Sequence, residues 1–133
     1  MRSWFAVALS LAALAPLDDG RFARAALVGH VLGRWSTLPQ SLALPAARPG
    51  GSGALVRVGP AGLAAGTCVA FGTALLAGGV AGAIAVGVAC AVTFVGGVSA
   101  LRVLGGVSGD TFGAVNKVVE IAAYVTLAAA WTD

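Results

Sequence analysis

Apolar residues run along this chain in long blocks broken at a few polar points. About 20 apolar residues, at ~1.5 Å rise each, cross the hydrocarbon of a bilayer as a helix. The pattern predicts five spans, at about 4–17, 22–44, 60–76, 83–101 and 113–131. From Val58 to Leu101 there is no Asp, Glu, Lys or Arg, which is room for two spans back to back. Gly78-Gly79 and Gly82 supply the turn between them, and Pro60 suits a first helical turn. The first block is short. Its Arg2, apolar run and Ala13-Leu14-Ala15 imitate a signal peptide, but Pro16 directly after such a cut disfavours cleavage, so it reads as a first span. The expected fold is an all-α polytopic transmembrane helix bundle, one domain over residues 1–133.

Composition sharpens this picture. The chain is 59% hydrophobic and 10% charged, with a mean hydropathy of +0.95; ordinary globular domains carry about 25% charge. A soluble enzyme, a nucleic-acid module and a disordered tail are excluded. The net charge of +3 bears on orientation in a bilayer and implies no nucleic-acid partner. Arg48, Arg57 and Arg102 fall on one side of the predicted bundle and Arg21 and Arg24 on the other, offset by Asp18 and Asp19. The Lys/Arg bias places the first side in the cytoplasm. Small residues four apart recur at Gly29/Gly33, Gly62/Gly66 and Gly105/Gly109/Gly113, a spacing that lets helices approach closely in lipid. Cys68 and Cys90 read as small packing residues, and no zinc-site spacing occurs.

Charge this scarce draws attention to where it stands. In the segment Gly105–Glu120, Asp110, Gly113, Asn116, Lys117 and Glu120 share an arc of about 120° at about 100° per residue. A charge in hydrocarbon costs at least ~2.5 kcal/mol, so such a stripe must face protein or water. Two carboxylates and an amide suit Mg²⁺, which takes oxygen ligands and borrows others from substrate phosphates. The structural alternative is that Asp110 caps the helix while Lys117 neutralises Glu120 three residues on. A second constellation is Arg48-Pro49-Gly50-Gly51-Ser52-Gly53, where glycine amides and a guanidinium fork suit phosphate. It is expected on the same membrane side as Asp110. The third is His30 and Arg34, one helical turn apart beside Trp35. Arg34 reaches the same site as a phosphate clamp or snorkels to the interface.

Three motifs in order resemble the C-terminal half of the cobalamin synthase (adenosylcobinamide-GDP ribazoletransferase) family. They are Leu32-Gly33-Arg34-Trp35, then Ala47-Arg48-Pro49-Gly50-Gly51-Ser52-Gly53, then Ser108-Gly109-Asp110 with Gly113-Ala114, Asn116 and Glu120. The resemblance covers most of the chain from about residue 30 onward. It implies a Mg²⁺-dependent enzyme of the inner membrane that joins α-ribazole, or its 5′-phosphate, to adenosylcobinamide-GDP with loss of GMP. By position, Asp110 and Glu120 become metal-site carboxylates and Asn116 an orienting catalytic amide, while Arg34, Arg48, Gly51 and Gly53 hold phosphate. Lys117 departs from the pattern, standing where the family often has an acidic or amide residue. The family's acidic His-Leu-Asp-Gly segment has no counterpart, so the chain is expected to be shortened at its N-terminus, with a separate N-terminal half or a homo-oligomer as partners beside the lipid bilayer. Two alternatives are a small membrane scaffold or transporter-like half without catalysis, and a different membrane phosphotransferase.

Overall fold

A computed structural model describes residues 2–132 of the chain. Among them the regular structure is all α: α1 (Arg2–Leu14), α2 (Asp19–Trp35), α3 (Thr37–Ala43), α4 (Ser52–Leu55), α5 (Pro60–Leu104) and α6 (Gly109–Trp131). The expected all-α bundle stands. Two helices, α5 and α6, are long and apolar enough to cross a membrane. The apolar helix α1 is shorter, at 13 residues.

The α5 helix is in fact two arms, residues 60–78 and 80–104, joined at Gly79 with φ 57° and ψ −131°. No residue with a Cβ adopts that backbone without strain, so the turn expected near Gly78-Gly79 is set by glycine. Contacts of α3 prove the reversal. Leu38 packs over Gly66 on the first arm, and Gln40 packs against Gly97 on the second. On a straight helix those positions would lie about 46 Å apart; here both meet a helix of seven residues.

The block expected at 22–44 is divided into α2 and α3 at Ser36. Pro39 supplies the reason. It has no N–H for the Trp35 carbonyl, and its ring crowds that oxygen, so a continuous helix cannot run through the position. The loop expected between Pro45 and Gly59 holds a short turn of helix, α4.

The core is formed where α2, α5 and α6 meet, and α1 packs on α6. Small residues dominate it: Ala25, Ala70, Ala74, Ala81, Ala85, Ala89 and Ala123 are buried together with Val28, Leu32, Val119 and Leu127. Meanwhile Trp4, Phe5, Leu76, Val80, Phe94 and Val103 stand exposed on the outside. Close backbone contact inside and large apolar side chains outside are what a bundle solvated by lipid needs.

The two ends of the bundle differ in character. Arg21 donates to the Trp131 carbonyl, and the Arg24 guanidinium lies 5.9 Å over the Trp131 ring. Both therefore sit at the C-terminal end of α6. There Asp18 caps α2 by accepting from the Arg21 N–H at 2.9 Å, which holds its carboxyl below the usual carboxylate range. Arg48 lies at the opposite end, beside Leu104 and Asp110. The separation expected between Arg48 and the Arg21/Arg24 pair is thus a feature of the fold.

Candidate functional site

At the N-terminal end of α6 two loops are zipped together. Ala47 N–H donates to the Val107 carbonyl at 2.8 Å, and Val107 N–H returns a bond to Pro45 O at 2.8 Å. Gly109 N–H donates to Ser52 Oγ at 2.9 Å. Close approach here needs glycine. A Cβ on Gly53 would run into the Val107 carbonyl, and one on Gly106 into the Pro45 carbonyl. Between the loops lies a cavity of about 720 Å³ lined by Arg48, Gly51, Ser52, Ser108, Asp110 and Thr111 among others. The arginine of the first loop and the aspartate of the second therefore do converge.

A second cavity of about 220 Å³ lies between α2 and α6, lined by His30, Gly33, Arg34, Gly113, Asn116, Lys117 and Glu120. The stripe expected to form one site is thus shared between two. Asp110 serves the first cavity and Asn116, Lys117 and Glu120 the second. Arg34, expected to act with Arg48, lies in the other cavity.

The carboxylates cannot hold one ion in common, which corrects the expected metal pair. Ten residues of α-helix put about 15 Å of rise between Asp110 and Glu120, beyond the reach of both side chains. Glu120 also accepts at both of its oxygens. Lys117 Nζ donates to Oε2 at 2.7 Å, and the Tyr124 hydroxyl donates to Oε1 at 2.6 Å. The neutralisation of Glu120 by Lys117 is therefore real. Among the described residues no three His, Cys, Asp or Glu side chains converge. Mg²⁺ is commonly anchored by one or two carboxylates and completed by substrate phosphates and waters. Asp110 fits that description as a single anchor; Glu120 does not.

Capping of α6 falls to Ser108. Its hydroxyl accepts from Thr111 N–H at 3.3 Å, while Thr111 Oγ1 accepts from Ser108 N–H at 2.7 Å, a reciprocal capping box. Asp110 is consequently not spent on the cap and stands exposed in the first turn, where helix dipole and carboxylate agree. Asn116 lines the second cavity, and its amide is also taken up in the fold. Its amide nitrogen lies 2.7 Å from Ser36 Oγ, 2.7 Å from Gly33 O and 2.9 Å from Thr37 Oγ1, tying α6 to the α2–α3 junction. The loop glycines are also less available than expected. Gly51 N–H is turned to the Arg48 carbonyl at 3.2 Å, and Gly53 is buried against the Val107 backbone.

Sequence reasoning missed Ser52, Ser108 and Thr111 in the first cavity. Part of the signal was present: Ser108 is a preferred N-cap residue just before the last apolar block, and Ser52 lies inside the glycine loop already singled out. It also missed Tyr124, four residues beyond Glu120 and so on the same helix face.

The family model described as cobalamin-5-phosphate synthase matches residues 1–128. The chain belongs to this family. A curated relative, the adenosylcobinamide-GDP ribazoletransferase of Roseiflexus sp. (strain RS-1), is 36% identical over 105 residues, which are 77% of this chain and 39% of the relative. The chain thus spans about two fifths of that relative's length. No solved structure matches it. Cobalamin-5-phosphate synthases are membrane-associated transferases of cobalamin biosynthesis, in keeping with the apolar α5 and α6.

Proposed function

We propose that the chain takes part in joining α-ribazole, or its 5′-phosphate, to adenosylcobinamide-GDP with release of GMP, and that the cavity of Arg48 and Asp110 seats the diphosphate. The observation carrying this reading is the convergence of an arginine, three hydroxyls and an uncommitted carboxylate between two interlocked loops. A guanidinium offers a planar fork to phosphate oxygens, and Ser52 and Ser108 add hydroxyl donors, while the Thr111 hydroxyl donates to the Ser108 carbonyl. Asp110 is the carboxylate that would hold Mg²⁺ against the same oxygens, where the ion offsets diphosphate charge.

The reaction is displacement at phosphorus. A ribazole hydroxyl attacks the phosphorus on the cobinamide side, the bond to the bridging oxygen breaks, and GMP leaves with the electron pair as the hydroxyl proton is lost. What this chain's residues contribute is position. Arg48 orients the diphosphate, and the loops, zipped together at the buried Val107, fix the rim. Five spans in the inner membrane, with this cavity on the cytoplasmic side, accord with the arginines at that end.

Membranes carrying the chain should release GMP from adenosylcobinamide-GDP when α-ribazole is added, and Asp110→Asn should lower that release at least a hundredfold. GMP release by Asp110→Asn at the unsubstituted rate would contradict the role of Asp110. No release from the unsubstituted chain would contradict the activity itself and favour a membrane scaffold.

A further inference from the structure

The cavity between α2 and α6 is unlike its neighbour. It is smaller and lies further along α6, its lining running from Gly113 to Glu120, about 6 to 17 Å from the helix start, with His30, Arg34 and Gly113 exposed. Its polar atoms are also mostly donors. Arg34 contributes a guanidinium with five N–H groups, and among the described residues neither Arg34 nor His30 has an ion-pair partner. Lys117 gives one of its three protons to Glu120 and keeps two. Glu120, the carboxylate of this cavity, is paired with Lys117 and accepts from Tyr124, and among the described residues it forms no ion pair with Arg34. A Cβ on Gly113 would meet no atom within 4 Å, so the wall opposite Arg34 is open. With Lys117 offset by Glu120, the Arg34 guanidinium is the charge in this cavity left without a counter-ion among the described residues, and it suits an anion.

We propose that this cavity is a second anion seat, in which Arg34 and Lys117, with the His30 imidazole beside them, hold a phosphate monoester apart from the diphosphate seat at Arg48. The monoester class follows from size and charge. The guanidinium fork and the two remaining Lys117 N–H groups suit the oxygens of a single phosphate, and about 220 Å³ does not accommodate an extended nucleoside diphosphate. The identification of that monoester with the phosphate on the second substrate rests on the transferase reading above; the seat itself does not. A phospholipid headgroup presents the same chemistry and is the other source.

The test titrates the purified full chain in phosphatidylcholine nanodiscs with two probes, phenyl phosphate and methylenediphosphonate, followed by calorimetry. Arg34→Gln should weaken phenyl phosphate at least tenfold and leave methylenediphosphonate within twofold; Arg48→Gln should do the reverse. Arg34→Lys, which keeps the charge, should recover part of the phenyl phosphate affinity, and Lys117→Gln should weaken it several-fold, so the seat is testable even where Arg34→Gln fails to fold. Unchanged phenyl phosphate affinity in Arg34→Gln, or a fall of both probes together in Arg48→Gln, overturns the proposal. If Arg48→Gln leaves the diphosphonate untouched, the diphosphate reading fails while the monoester result stands. Repeating the titration with phosphatidylglycerol in the disc separates the sources. Displacement of phenyl phosphate supports the seat with a lipid headgroup as occupant, and undiminished affinity supports it with a soluble ester.

Discussion

Asp110 and Glu120 are the two carboxylates of one helix, and their surroundings have little in common. Asp110 stands exposed at a helix start that Ser108 already caps, in a cavity whose other charged group is Arg48. Glu120 sits ten residues deeper with both oxygens bonded, one by Lys117 and one by Tyr124. One carboxylate is available to a ligand and the other holds the structure together. Angular position on a helix decides which side chains share a face; it does not decide which of them arrive with partners of their own.

Substitutions at the two positions should separate accordingly. The largest effect belongs to function at Asp110: Asp110→Asn removes the carboxylate proposed to meet the diphosphate, and loss of one such electrostatic contact costs roughly 10²–10³-fold in rate. Its thermal midpoint should stay within about 1–2 °C of the parent, because exposed substitutions away from structural features stay within about ±0.5 kcal/mol. Thermal melting beside the GMP-release assay checks both halves.

Next in size is a packing lesion beneath the second cavity. Gly29 faces the Tyr124 ring so closely that any Cβ collides with it. Gly29→Leu should destabilise by about 1–3 kcal/mol, the usual range for overpacking. It should also disturb Glu120 through Tyr124, which a lowered melting temperature together with weaker phenyl phosphate affinity would show.

Glu120→Ala should cost about 1–3 kcal/mol of stability by leaving the Tyr124 hydroxyl and Lys117 without their acceptor. Methylenediphosphonate affinity should hardly change. Asn116→Ala belongs just below it at about 1–2 kcal/mol, since Ser36 and Thr37 lose a shared partner. The smallest effect lies at Asp18, at the far end of the bundle. Its folded-state carboxyl is held low by the Arg21 backbone N–H, so its contribution is present above the unfolded pKa and fades as pH falls through the folded one. A pH series of melting curves should therefore show Asp18→Ala matching the parent only in acid.

Much of the fold was legible because it depends on period and punctuation. Uncharged length fixed the hairpin of α5, and Gly79 is the residue able to turn it. The Ser36 break was legible in principle from Pro39 but masked by the apolar pattern continuing on both sides. The meeting of Arg48 with Asp110 followed from counting spans. Long-range partners stayed hidden: no local pattern announces that Ser36 and Thr37 occupy Asn116, or that Gly53 is needed against the Val107 carbonyl rather than at a phosphate. Those are facts of tertiary packing, settled between elements distant in sequence.

The central claim is that Asp110, and not Glu120, meets the diphosphate. Calorimetric titration of methylenediphosphonate with Mg²⁺ into the parent chain, Asp110→Asn and Glu120→Gln tests it most directly. Binding should be at least tenfold weaker in Asp110→Asn, and Glu120→Gln should keep parental affinity with a lowered melting temperature. Parental affinity in Asp110→Asn, or lost affinity in a fully folded Glu120→Gln, would contradict it.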